Sequence, residues 1–123
     1  MKRMRATTVT LALGLALAGV ATLAHAGEPT FTVRCMQTSG PKILPKYGTY
    51  YFFLKESQVK GYACSVPGRP CRIVNQDANT IAFQTPGDAP DRMTIDLRNG
   101  AIQHTTASGL QATFACRQVP NNS

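Results

Sequence analysis

Four cysteines, Cys35, Cys64, Cys71 and Cys116, constrain this chain more than any other feature. An even cysteine count in a short exported chain reads as two disulfides, and four cysteines allow three pairings. Cys64 and Cys71 flank Ser65-Val-Pro-Gly-Arg-Pro70, whose Pro67-Gly68 is a turn signal. A hairpin there brings the two Cα atoms to bridging distance. Cys35 falls in the first β-type run and Cys116 in the last, so a bridge between them ties the ends of the fold together. The favoured pairing is therefore Cys64–Cys71 with Cys35–Cys116. The spacings of 29, 7 and 45 residues lack the close C-x-x-C pairs of a zinc site or a thioredoxin-like redox pair.

Export is read from residues 1–26. Met1 to Arg5 is a short basic segment, Val9 to Leu23 is almost uninterruptedly apolar, and Ala24-His25-Ala26 has the small-residue pattern of a cleavage site. About 15 apolar residues fall short of the ~20 that span a bilayer as a helix. No later segment is long or apolar enough to cross a membrane. Cleavage leaves residues 27–123 as a single small domain. The expected location is the periplasm or the exterior, behind a bacterial type of signal.

The domain is a series of short β-type runs separated by turn residues. These are Thr30–Gln37, Tyr47–Leu54, Gln58–Val66, Cys71–Asn75, Thr80–Gln84, Arg92–Arg98, Ala101–Thr106 and Leu110–Gln118. Within Arg92–Arg98, Met93, Ile95 and Leu97 share one face, and Asn99-Gly100 behind them signals a type I′ hairpin. Leu110, Ala112, Phe114 and Cys116 alternate inward in the last run. No segment has a convincing 3.6-residue apolar period. The expected fold is all-β, a small antiparallel meander of about eight strands closing as a disulfide-stapled barrel; a two-layer sandwich is the alternative. Phe31, Val33, Ile73, Ile81, Phe83, Ile95, Leu97, Phe114 and one face of Tyr50–Phe53 are the expected filling.

Catalytic material is sparse. His104 is the only histidine after residue 26, and no nucleophile motif accompanies it. A three-ligand metal site would need further histidines, and none exist after residue 26. Asp88 and Asp91 share a loop, where two carboxylates offer a loose Ca²⁺ site, but Asp is also a normal turn residue and the solvated turn is the favoured reading. A non-enzymatic protein without a cofactor or metal is the expectation.

Charge is more informative. Residues 27–123 carry ten Lys and Arg against six acids. Lys42, Lys46, Lys55, Lys60, Arg69 and Arg72 lie in the first half with Arg34, so one side of a meander should be basic. Such a side attracts an anionic envelope polymer or lipid; nucleic acid is a poorer candidate for an exported chain. A second candidate is the loop Ser39-Gly-Pro-Lys-Ile-Leu-Pro-Lys46. Its Ile43 and Leu44, set between two Lys and two Pro, either form a contact finger for one envelope protein or cap the barrel end. Asn121-Asn122-Ser123 matches a glycosylation sequon, which has no place behind a bacterial signal.

In export, size, strand count and its terminal-to-terminal cysteine pair, the chain resembles the periplasmic lysozyme inhibitors, compact disulfide-closed barrels. Ser39-Gly40 is similar to the Ser-Gly-x-x-Tyr loop of one inhibitor group, but Ile43 stands where that motif has Tyr, so no role carries over. The resemblance implies an inhibitor or accessory subunit of an envelope enzyme as the alternative function. The positive charge opposes it, because lysozymes are themselves basic.

Overall fold

A computed structural model describes residues 27–121. Residues 1–26, read above as an export signal, and the last two residues lie outside them. Eight strands follow one another: β1 (Phe31–Ser39), β2 (Tyr47–Phe53), β3 (Gln58–Gly61), β4 (Cys71–Gln76), β5 (Thr80–Gln84), β6 (Arg92–Asp96), β7 (Ala101–Thr105) and β8 (Gln111–Val119). Each pairs antiparallel with the next, and β8 pairs with β1 to close a barrel. That closure removes the free edges a sandwich would leave.

Alternation decides what enters the barrel. Val33, Tyr50, Phe52, Val59, Ile81, Phe83, Met93, Ile95, Ile102, Ala112 and Phe114 are buried with the cysteines Cys35, Cys64 and Cys71. A barrel of eight strands is just wide enough for side chains to fill it. Phe52 is at the centre of the aromatic packing: it stacks on Phe31 at 4.6 Å and meets Phe83 edge-on at 5.4 Å. Burial pushes the Tyr50 phenol well above its ordinary pKa, so it stays neutral.

Both disulfides join the expected partners. Cys35 and Cys116 are directly opposite one another across the β1–β8 seam. Cys64–Cys71 clips the connection between β3 and β4.

Three expectations are corrected. The third run ends at Gly61 rather than Val66, because Gly61 (φ 88°) and Tyr62 (φ 39°) turn the chain through the left-handed region. Leu97 is 41% exposed and Leu110 48% exposed, since each lies just beyond its strand. The Asn99-Gly100 turn is not type I′. Only Gly100 has positive φ (76°), and the connection takes four residues, with the Gly100 N–H donating to the Asp96 carbonyl at 2.7 Å. Asn99 instead accepts the Ala101 N–H through its side chain.

The two barrel ends differ. Connections 40–46, 62–70, 85–91 and 106–110, five to nine residues long, share one end; connections 54–57, 77–79 and 97–100, of three or four residues, share the other. Side-chain hydrogen bonds hold the short ones. Asp77 accepts the Asn79 and Thr80 N–H groups, which lower its pKa, and the Arg98 side chain does the same for Asp96. Thr32, buried on the outer face of β1, donates to Asn121, whose amide in turn donates to the Pro29 carbonyl.

Candidate anion-binding face

Barrel closure rearranges the charges that the linear sequence only groups by halves. Strands β8, β1, β2, β3 and β4, with the connections between β1 and β4, hold Arg117, Arg34, Lys42, Lys46, Lys55, Lys60, Arg69 and Arg72. Only Glu28 and Glu56 accompany them. The rest of the barrel has Arg92 and Arg98 against Asp77, Asp88, Asp91 and Asp96. Eight of ten cations therefore lie on five consecutive strands and their connections. Arg117, which linear sequence assigns to the acidic half, is brought round to the basic side by the β8–β1 pairing.

The six cations singled out from sequence do not form one patch. Lys42 and Lys46 lie at the long-loop end, and Lys55 lies at the opposite end. Lys60 is on the outer face of β3, its ammonium 4.8 Å from the centre of the Phe53 ring. Arg69 and Arg72 line a groove of about 460 Å³ with Glu56, Gln58, Gln84 and Thr85. All six are exposed.

The Ser39–Lys46 segment is anchored rather than free. Gln37 Nε2 is within hydrogen-bond distance of the Ser39, Gly40 and Pro41 carbonyls, at 3.1, 3.1 and 2.7 Å. The Tyr62 hydroxyl donates to the Pro45 carbonyl. Ile43 and Leu44 are half-buried and pack against the core, as a barrel cap would, while Lys42 and Lys46 face solvent.

Sequence reasoning missed Arg34 and Arg117 as site residues. They stand directly opposite one another on the outer face of the β1–β8 seam. Like charges at such positions disfavour the pairing. Among the described residues, neither guanidinium has a carboxylate partner. Next to them, Met36 pairs with Ala115 on one side and Tyr47 on the other. These five residues wall a cleft of about 300 Å³ above the Cys35–Cys116 backbone. A signal for the pair was present: each cysteine of the bridge has an arginine neighbour, and antiparallel pairing at 35 and 116 places 34 opposite 117.

His104 lies in the interior, at 1% exposed. Its Nε2 is 3.0 Å from Asp91 Oδ2, and Asp91 Oδ1 accepts the Ala107 N–H at 3.0 Å. The carboxylate thus ties β7 to two of the long connections. His104 Nδ1 is buried without a hydrogen-bond partner among the described residues. Asp88, exposed in the same loop as Asp91, joins no metal-ligating group among the described residues.

No protein-family model, curated protein or solved structure matches this chain.

Proposed function

We propose that this protein is an exported, non-enzymatic binding module whose basic side takes anionic polymers or lipid headgroups of the cell envelope. The observation that carries the reading is charge segregation, with eight cations on five consecutive strands and their connections against two carboxylates. Lone surface lysines aid solubility wherever they lie. Segregated ones create a field that attracts and orients an anionic partner. The two disulfides fit an oxidising compartment, and the export reading of residues 1–26 fits the same location. The anchoring of Ile43 and Leu44 favours this reading over a contact finger for one protein partner.

The test is binding of the oxidised protein to vesicles containing phosphatidylglycerol and to acidic polysaccharide across a salt series. Saturable binding at low salt should weaken steeply as ionic strength rises, because exposed charges are screened beyond about 8 Å at physiological salt. Lys42→Glu with Lys46→Glu should weaken it further, by at least threefold, and leave the thermal transition within a few degrees of the native one. Binding that ignores both salt and the double substitution would overturn the proposal.

A further inference from the structure

The cleft over the β1–β8 seam has a chemistry that the rest of the basic side lacks. Arg34 and Arg117, paired across the seam, both line it, together with the half-buried Met36, the Ala115 methyl and Tyr47, which is 54% exposed. The Lys46 ammonium, 5.5 Å from the Tyr47 ring centre, adds a further positive charge beside that residue. We infer that this cleft is a subsite for one sugar ring bearing an anionic substituent, within an acidic polysaccharide. This rests on the anion-binding reading above and names its ligand.

Each component has a matching role. Guanidiniums are planar forks that take carboxylate or phosphate oxygens in pairs, and two of them facing each other bracket one anionic group. An aromatic wall offers its face to the apolar C–H side of a sugar ring. A volume near 300 Å³ is at the small end of ligand sites and suits a single ring. A planar lipid surface would meet the outermost cations and leave this recess empty.

The seam is also pre-organised. Arg34 adjoins Cys35 and Arg117 adjoins Cys116, so the disulfide holds the strands together where the two charges oppose each other. The guanidiniums cannot relieve their repulsion by separation of the strands. An anion between them offsets it, on a backbone that the disulfide has already fixed.

The experiment uses the oxidised full-length protein at low ionic strength. Its probes are oligogalacturonate, the methyl-esterified oligomer, glucose 1-phosphate, inorganic phosphate and phosphatidylglycerol vesicles. Oligogalacturonate or glucose 1-phosphate should bind, which distinguishes a carboxylated from a phosphorylated sugar, and the neutral ester should bind at least tenfold more weakly than the acid. Arg34→Gln with Arg117→Gln should weaken the favoured sugar at least tenfold. This variant should melt no lower than the native protein, because the substitution removes a repulsion, so lost binding cannot be ascribed to misfolding. Tyr47→Ala should weaken the sugar about tenfold and leave inorganic phosphate within twofold.

Sugar binding unchanged in the arginine variant but lost on Lys42→Glu with Lys46→Glu would overturn the subsite and leave the anion-binding module standing. Vesicle binding without sugar binding would do the same in favour of lipid. Indifference to every anionic probe at low salt would overturn both.

Discussion

Replacing Cys35 and Cys116 together by Ala should lower unfolding stability by about 4.5 kcal/mol, roughly twice the ~2.3 kcal/mol expected for Cys64 with Cys71. The difference follows from chain entropy. The first bridge closes a separation of 81 residues and the second one of 7, so the first removes far more freedom from the unfolded chain. Stabilities of small domains are about 5–15 kcal/mol, so losing the first bridge removes a large share of the total. A second effect acts in the same direction. Without the bridge, the Arg34–Arg117 repulsion acts on a seam held only by backbone pairing. Urea unfolding of the native protein and the two variants measures the order, with midpoints compared at matched slopes. Added salt should recover part of the loss in the Cys35/Cys116 variant and little in the other, because only the first exposes a seam to like-charge repulsion. Equal losses, or a larger loss for the short bridge, would contradict this assignment of roles.

Phe52→Ala should cost about 3–5 kcal/mol, in the range for truncating a fully buried aromatic side chain. Its ring touches Phe31, Tyr50 and Phe83, which come from three different strands, so no single neighbour can move to fill the space. Leu97→Ala is the informative comparison. The alternation of Met93, Ile95 and Leu97 puts this leucine in the core, whereas the barrel leaves it 41% exposed beyond the end of β6. It should cost less than about 0.5 kcal/mol, as for an exposed position. A large effect at Leu97 would restore the longer strand.

Much of the barrel is legible in local sequence because each strand alternates and each break carries Gly, Pro, Asn or Asp. Strand ends are less so. Leu97 continues the alternation of β6, and only the hydrogen bond from Gly100 to Asp96 shows that the strand has already stopped. The Asn99-Gly100 pair fits a two-residue loop, yet the structure uses four, with the Asn side chain taking a backbone donor. The buried His104 is harder still to read. Its partner Asp91 lies 13 residues away in a loop, and Asp in a loop looks like ordinary turn chemistry. The candidate site depends on the least local feature of all, the register between the first strand and the last. Once Cys35 faces Cys116, the opposition of Arg34 and Arg117 follows from antiparallel geometry. Charge summed by sequence halves hides it, because closure carries Arg117 from one half to the other.

The central claim is that the arrangement of charge, and not its total, makes the binding face. Two variants with the same net charge separate these most directly: Lys46→Gln with Lys60→Gln on the basic side, and Arg92→Gln with Arg98→Gln on the other. Each removes two positive charges from exposed side chains. Affinity for one acidic polysaccharide is measured for both at fixed low salt. The account expects the first variant to bind at least fivefold more weakly than the native protein and the second to stay within twofold of it. Equal weakening in the two would contradict it and reduce the basic side to a contribution to overall charge.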